Sequence, residues 1–142
     1  MGWKPNPREL KMKPEKDLSQ YDILAVDDVP LNLLLLEKML ARFNIHIRKA
    51  VNGEEAMEEI LAKKPDLVIL DLIMPVMDGF EVLQKVRKMP DGESIKIIVL
   101  SALNKNEDIV RAYNCGANDF ITKPIIFEKL INSVDNQLKR VK

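Results

Sequence analysis

A short apolar run that ends in a carboxylate constrains this chain more than any other feature. Residues Leu67–Leu70 form a Leu-Val-Ile-Leu run, and Asp71 follows directly. Successive apolar residues rich in β-branched side chains are typical of a strand buried on both faces of a parallel sheet. Because an unpaired charge is costly inside a core, we expect Asp71 to lie where this strand runs out into a crevice.

Apolar runs and amphipathic stretches alternate along the chain, and the alternation predicts an α/β fold. Strands are predicted over residues 21–26, 45–51, 67–70, 95–100 and 119–122. Helices are predicted over residues 31–43, 53–63, 79–89, 104–115 and 126–138. Two helices begin with cap signals, Asn52 followed by Glu55 and Asn104 followed by Glu107. Short links and right-handed crossovers then predict a doubly wound, five-stranded parallel sheet with helices on both faces.

The composition excludes several classes of function. The chain has 142 residues, enough for one domain with a full core, and its 22 basic and 22 acidic residues balance. That balance gives no indication of a nucleic-acid or membrane partner. His46 and Cys115 are the only residues of their types, which excludes zinc-type clusters and internal disulfides and favours a reducing compartment. With no bilayer-spanning apolar run and no signal-peptide core, a cytoplasmic location is expected.

The first 20 residues differ from the rest of the chain. They are rich in lysine, contain three prolines and lack any hydrophobic periodicity. We predict a flexible tail over residues 1–20 and a folded domain over residues 21–142. An alternative interpretation of the tail is a docking segment that uses Trp3, Leu10 and Met12.

Chemically useful side chains follow four of the five predicted strands. Asp27 and Asp28 follow the first strand, and Asp71, Ser101 and Lys123 follow the third, fourth and fifth. Each residue taken singly is explained more simply, as a helix cap, a turn residue or a solvated surface group. Because ligands of such folds bind outside the carboxyl ends of the strands, the set is expected to form an acid cluster flanked by a hydroxyl and an amine.

Three carboxylates in one crevice need positive charge close to them. Two unit charges about 4 Å apart repel by about 4 kcal/mol at an effective dielectric constant near 20, and this repulsion raises carboxyl pKa values. Lys123 supplies one positive charge. A hard divalent ion bound through oxygens would supply the remaining positive charge, and Mg²⁺ fits a shallow site of this kind. Such a site matches phosphoryl transfer in which a carboxylate attacks in line and becomes an acyl phosphate.

Four motifs lie at or near the ends of the predicted strands. They are Val26-Asp27-Asp28, Asp71-Leu72-Ile73-Met74-Pro75-Val76-Met77-Asp78-Gly79, Ser101-Ala102 and Gly116-Ala117-Asn118-Asp119-Phe120-Ile121-Thr122-Lys123-Pro124. Together they resemble the receiver domains of bacterial response regulators, the CheY-like superfamily of two-component signalling. The resemblance runs from about residue 21 to the last helix. It implies a flavodoxin-like, CheY-like (βα)5 fold with strand order 2-1-3-4-5.

The resemblance also implies the chemistry of the site. Asp71 would accept a phosphoryl group from the phosphohistidine of a sensor histidine kinase or a histidine phosphotransfer protein. Asp28, Asp71 and the backbone carbonyl of Ile73 would bind Mg²⁺, or Mn²⁺ in its place, while Asp27 would act mostly through water. Lys123 would pair with Asp71 and then with the phosphate.

Switching is implied in the same way. Ser101 would hydrogen-bond a phosphate oxygen, and Phe120, which lacks the hydroxyl of the tyrosine common in the family, would swing inward behind it. The Lys123–Pro124 bond would be cis. A downstream protein, which the sequence does not identify, would recognise the changed surface. No contact of this domain with nucleic acid or membrane is expected. Homodimerisation is left open. The domain would not be an enzyme beyond its own phosphorylation and slow self-dephosphorylation.

The residues argue against three rival functions. A phosphatase of the haloacid dehalogenase type needs a second acid two residues after the nucleophile, where this chain has Ile73. In a flavodoxin-like FMN carrier, Asp27 and Asp28 would repel a phosphate that lacks a metal. A receiver that has lost phosphorylation would lack part of the acid set, and no part is missing. The sequence leaves open whether the domain acts alone as a relay or belongs to a larger protein.

Overall fold

The computed structural model describes residues 17–140 and contains one five-stranded, fully parallel sheet in the order β2-β1-β3-β4-β5. The strands are β1 (Ile23–Val26), β2 (Arg48–Ala50), β3 (Leu67–Leu70), β4 (Lys96–Ser101) and β5 (Asp119–Thr122). The helices are α1 (Pro30–Ala41), α2 (Gly53–Ala62), α3 (Gly79–Lys88), α4 (Asn106–Asn114) and α5 (Phe127–Leu138). The predicted fold class and strand order are therefore confirmed. Among the described residues, no helix is long and apolar enough to cross a membrane.

The sheet is buried on both faces, as the apolar run of β3 predicted. Successive residues of each inner strand point to opposite faces, so each strand contributes side chains to two separate cores. Val68 and Leu70 join the core formed with α2 and α3, and Leu67 and Ile69 join the core formed with α1 and α5. The two layers of helices leave the strand ends as the place where polar side chains converge.

Local cap signals predicted one of two helix starts correctly. The side chain of Asn52 accepts a hydrogen bond from the backbone N–H of Glu55, and the Glu55 carboxylate accepts one from Val51 N–H. The cap predicted at Asn104 is wrong, because α4 begins at Asn106 and its preceding residue makes no side-chain cap bond. Local spacing did not reveal that start, whereas at Asn52 the side chains of both Asn52 and Glu55 accept backbone hydrogen bonds, the second from the residue before the cap.

The second strand is shorter than predicted. Residues 45–47 precede β2 rather than belong to it, and Ile45 is buried with its N–H donating to the carbonyl of Leu40. A left-handed residue, Asn44, makes the turn that brings Ile45 back onto α1. The alternating pattern therefore reflected burial of single side chains, not a ladder of strand hydrogen bonds.

The described part of the chain starts inside the segment that the sequence assigned to a tail. Leu18 is buried in the core shared by α1 and α5, and its N–H donates to the carbonyl of Phe43 at 3.0 Å. The prediction of flexibility concerns mainly residues 1–16, which lie outside the described residues. The alternative docking segment with Trp3, Leu10 and Met12 falls within the same range. Leu18 fixes the place from which that segment departs.

Val76 has an unusual backbone conformation for a β-branched residue. Its φ is +68° in the loop between β3 and α3, and its side chain is 94% exposed. We expect Val76→Asn to raise the free energy of unfolding by about 1 kcal/mol, because asparagine tolerates left-handed φ and no buried contact is lost. Urea unfolding measures the change. Val110→Asn, at an exposed position of α4, is the control and should change stability little, since valine and asparagine have similar helix propensity. A destabilised Val76→Asn protein would contradict the argument.

Candidate functional site

Two neighbouring strands place carboxylates at the same edge of the sheet. Asp27 follows β1 and donates its N–H to the carbonyl of Ala50 in β2, whereas Asp71 follows β3 and donates to the carbonyl of Val26 in β1. These bonds continue the parallel ladder and fix both side chains at its end. One carboxylate oxygen each from Asp27, Asp28 and Asp71 lies within 4.8 Å of the others. The predicted acid cluster is thus brought together.

The three carboxylates differ in their contact with water. Asp27 is 2% exposed and Asp71 is 6% exposed, while Asp28 is exposed. Two buried charged groups at a strand edge need partners, because desolvation of an unpaired carboxylate is costly. The partners come from residues that are distant in sequence as well as from the adjoining loops.

Lys123 is the residue that joins the two buried carboxylates. Its Nζ donates to Asp27 Oδ2 at 2.8 Å and to Asp71 Oδ2 at 3.1 Å. Its backbone N–H donates to the carbonyl of Ser101 at 2.8 Å, which extends the pairing of β5 with β4 by one residue. The peptide bond to Pro124 is cis, as the resemblance implied. The sequence had paired Lys123 with Asp71, and the bond to Asp27 is the shorter of the two.

The remaining predicted residues surround this cluster. Ser101 ends β4 with its side chain fully buried, and its Oγ accepts a hydrogen bond from the N–H of Leu103 at 3.3 Å. Phe120 lies beside Val99 in the ladder, is partly buried and packs against the core of α2 and α3. Ile73 donates its N–H to Asp71 Oδ1 at 3.1 Å, and its side chain is half exposed. The roles of these residues, and of the Ile73 carbonyl, stay predictions.

One polar residue at the site was not assigned a role from the sequence. The side-chain amide of Asn32, in the first turn of α1, donates to Asp27 Oδ2 at 3.2 Å, and the N–H of Val29 donates to Asp27 Oδ1 at 2.9 Å. With Lys123, these groups give Asp27 three donors. The available signal was the position of Asn32 one helical turn past the acid pair, which places its side chain over the end of β1.

Burial and pairing move two pKa values in the cluster. Burial raises the pKa of the Asp71 carboxyl, although the N–H of Ile73 and the charge of Lys123 oppose the change. Burial alone would lower the pKa of Lys123, but its hydrogen bond to Asp27 and the charge of Asp71 outweigh burial and raise it. The ammonium group of Lys123 therefore stays charged at neutral pH. Ionisation of Asp71, by contrast, lowers the free energy of unfolding.

The raised pKa of Asp71 predicts a pH-dependent difference between wild type and Asp71→Asn. A carboxyl whose pKa is higher in the folded protein than in the unfolded chain favours folding at low pH, and this contribution is lost as the pH rises through the folded pKa. At neutral pH and with a chelator present, the asparagine variant should therefore melt at a higher temperature than wild type. Its advantage should shrink as the pH falls through the raised pKa of Asp71 and should have disappeared once the pH is below the usual aspartate range. An Asp71→Asn variant that is less stable than wild type at neutral pH would contradict a raised pKa of Asp71.

The donor set of this cluster suits a hard divalent cation. All the side-chain ligands are carboxylate oxygens, and two formal negative charges remain after three carboxylates meet one ammonium group. Mg²⁺ prefers oxygen ligands and is often bound by one or two carboxylates with waters, and Mn²⁺ has similar preferences. The residues present therefore fit the predicted metal, and Asp27, Asp28 and Asp71 could hold it.

Comparison with known proteins identifies the family. The family model described as the response regulator receiver domain matches residues 23–135, which include all five strands and most of α5. This chain belongs to that family. Receiver domains take part in two-component signalling, where they interact with histidine kinases and downstream effectors, and they generally bind Mg²⁺.

Solved receiver domains have the same fold. A putative response regulator from Chloroflexus aurantiacus J-10-fl superposes with a TM-score of 0.80 at 32% identity, over 84% of this chain and 98% of that one. The signal receiver domain of a signal transduction histidine kinase from Syntrophus aciditrophicus gives 0.79 at 36% identity, over 86% and 92%. Receiver domains with this architecture thus occur in both kinds of protein.

Relatives of known sequence differ in total length. An uncharacterised 14.6 kDa protein of Leptolyngbya boryana is 40% identical over 82% of this chain and 89% of its own length. The response regulator PleD of Caulobacter vibrioides is 37% identical over 72% of this chain, but the match covers only 23% of PleD. A probable cyclic di-GMP phosphodiesterase of Vibrio cholerae is matched over 28% of its length. In these longer relatives the receiver domain is one part of a larger protein.

Proposed function

We infer that this receiver domain accepts a phosphoryl group on Asp71 and transmits the change to a partner through its surface. The observation that carries the proposal is the position of the Asp71 carboxylate. It lies at the end of a buried strand, with Oδ1 held by Ile73 N–H and Oδ2 by Lys123 Nζ. A carboxylate fixed in this way, beside two further acids, is oriented for attack rather than free to rotate.

The transfer forms one bond and breaks another. An oxygen of Asp71 attacks phosphorus, while the bond between phosphorus and the imidazole nitrogen of the donor phosphohistidine breaks and leaves its electron pair on that nitrogen. Lys123, which holds an oxygen of Asp71 before transfer, offsets charge on the incoming group. Asp27 keeps Lys123 charged and in place through the 2.8 Å hydrogen bond.

The metal-binding residues are proposed to be Asp28 and Asp71, with the Ile73 carbonyl and with Asp27 acting through water. When bound, Mg²⁺ offsets negative charge on the phosphoryl oxygens. The oxygen-only donor set and its excess negative charge support this choice of ligands. They also explain why the crevice would reject an anion on its own, since its carboxylates repel it.

Ser101 and Phe120 are proposed to carry the response. The Ser101 Oγ now accepts from Leu103 N–H at 3.3 Å, so its proton is available to a phosphate oxygen. Phe120 packs against the same core as Leu103 and, as a phenylalanine, can signal only through packing. Phosphorylation adds about −1.5 to −2 charges at this edge of the sheet, which would draw Ser101 and Lys123 inward. The surface around α4 and β5 would then shift in population from one conformational state to another.

Beryllofluoride, an analogue of the phosphoryl group, tests the proposal in the intact chain. With Mg²⁺ and beryllofluoride, backbone amide NMR signals should shift at Ser101 and Lys123 and also around Phe120 and α4. Mg²⁺ alone should shift only signals near the acid cluster, and this titration is the control. Shifts confined to the loop after Asp71, with none around Phe120, would contradict the proposed switch while leaving phosphate acceptance open.

The phosphoryl donor is proposed to be a sensor histidine kinase or a histidine phosphotransfer protein in the cytoplasm. The downstream partner is proposed to be a protein that recognises the surface formed by α4, β5 and α5. The family membership supports partners of these classes. The matches to a histidine kinase receiver and to PleD support either of two settings, within a kinase or within a response regulator. Phosphotransfer profiling against the kinases of the host would distinguish among donors.

A further inference from the structure

The buried carboxylate of Asp27 shares one of its oxygens between two side chains. Its Oδ2 accepts a hydrogen bond from Lys123 Nζ at 2.8 Å and another from the side-chain amide of Asn32 at 3.2 Å. Its Oδ1 accepts from the backbone N–H of Val29 at 2.9 Å. Because Asp27 is almost fully buried, these donors rather than water must offset most of its charge.

Asn32 is held in place beside this oxygen by its helix. It lies in the first turn of α1, where the N–H groups of Asn32 and Leu33 donate to the carbonyl of Val29 at 3.0 and 3.4 Å. Leu33 and Leu36 are buried against the sheet and fix the helix on it. The amide of Asn32 is therefore anchored, whereas the ammonium group of Lys123 lies at the end of a long, flexible stem.

The ammonium group of Lys123 serves two carboxylates, since its Nζ also donates to Asp71 Oδ2 at 3.1 Å. When Asp71 becomes an acyl phosphate, negative charge moves from its own oxygens to the phosphoryl oxygens, and the ammonium group is attracted to them. The hydrogen bond from Lys123 to Asp27 weakens as Lys123 turns. Loss of this partner would leave a buried carboxylate without its cation, which is costly in free energy.

We propose that Asn32 is a positioning residue for this step: its amide keeps Asp27 Oδ2 hydrogen-bonded while Lys123 turns to the phosphoryl group. A neutral donor at 3.2 Å binds the carboxylate less strongly than an ammonium group at 2.8 Å, so Asn32 supports Asp27 without displacing Lys123 beforehand. The role in transfer rests on the proposed phosphoacceptance, whereas the shared oxygen belongs to the unphosphorylated protein. Asn32 acts on the reaction through Asp27 and Lys123.

Urea unfolding with a chelator present tests the shared oxygen without any phosphoryl group. With Lys123 intact, Asn32→Leu should change the unfolding equilibrium constant by less than about threefold, because the ammonium group still compensates Asp27 and leucine is the better helix former. In the Lys123→Met background the same exchange should raise that constant about tenfold, because Asp27 Oδ2 then loses both side-chain donors. Asn132→Leu, at an exposed position of α5, is the matched control and should have the same effect in both backgrounds.

The role in transfer predicts a second effect, which needs only the single variants. With Mg²⁺ present, Asn32→Leu should weaken the binding of beryllofluoride about five- to tenfold, because the cost of leaving Asp27 opposes the movement of Lys123. Mg²⁺ alone should bind this variant nearly as well as wild type, since Lys123 then still pairs with Asp27. Asn132→Leu should leave both affinities unchanged. Amide NMR titrations measure the affinities, and circular dichroism checks that each variant is folded.

Two results would overturn the proposal. Equal effects of Asn32→Leu in the two Lys123 backgrounds, whether small or large, would show that Asn32 serves only the helix and its packing. An unchanged affinity of Asn32→Leu for beryllofluoride would show that Lys123 turns without its help. A wild type that binds no beryllofluoride would instead refute the proposed phosphoacceptance and with it the role in transfer. The unfolding comparison would still decide whether Asn32 and Lys123 share Asp27, so the two failures remain distinguishable.

Discussion

Asp71→Asn is expected to abolish phosphorylation by acetyl phosphate and Mg²⁺, whereas wild type should gain one phosphate. The exchange preserves the size of the side chain and an oxygen for Ile73 N–H, but it removes the nucleophilic carboxylate. Among the acids of the cluster, Asp71 is the one that ends a central strand and receives bonds from both Ile73 and Lys123. Intact-mass spectrometry under conditions that preserve acyl phosphates measures the gain.

Asp78→Asn provides the matched control for this experiment. Asp78 lies in the same loop and caps α3 by accepting from Glu81 N–H, a role that asparagine also fills. This variant should be labelled like wild type. Chelation of the metal should stop labelling of wild type, because the acids then repel the donor anion. Undiminished labelling of Asp71→Asn would refute the assignment of the acceptor.

Lys123→Met is expected to lower the free energy of unfolding by about 2 to 3 kcal/mol when no divalent ion is present. The exchange removes one ammonium group from two carboxylates that are almost fully buried, while methionine keeps most of the apolar stem. Because the pKa of Lys123 is raised, its contribution is present throughout the neutral range and is lost only as the pH rises through that higher, alkaline value. Urea unfolding in the presence of a chelator measures the loss.

Mg²⁺ should restore more stability to this variant than to wild type, since the uncompensated carboxylates bind a cation more strongly. Lys139→Met is the control for loss of a lysine. Its partner is Asp135 on the surface of α5, so its removal should change stability by less than about 1 kcal/mol. Equal losses from the two substitutions would mean that Lys123 does not neutralise the buried pair. A gain with Mg²⁺ no larger than that of wild type would argue against the metal site.

The sequence predicted the fold and most of the side chains that meet at the edge of the sheet. Hydrophobic periodicity located all five strands and all five helices, because burial on both faces forces continuous apolar runs in a parallel sheet. Asp27, Asp71 and Ser101 were identified by position alone, since a residue just past a buried strand must lie at the sheet's edge. What failed at this level was local, as in the start of α4 and the length of β2, where neighbouring turns decide between similar patterns.

Tertiary structure alone decided which side chains touch. Periodicity gives the face and the end of an element on which a residue lies, but not the distance across strands or the rotamer that closes it. It therefore did not show that Lys123 bonds to Asp27 more closely than to Asp71, or that Asn32 supports the same carboxylate. Arg87 is a similar case: on α3 it donates to the carbonyls of Gly92 and Gly116, among other acceptors. Lys123 lies 96 and 52 residues from Asp27 and Asp71, and Gly116 lies 29 residues from Arg87, so these contacts depend on how the layers pack, which no local pattern encodes.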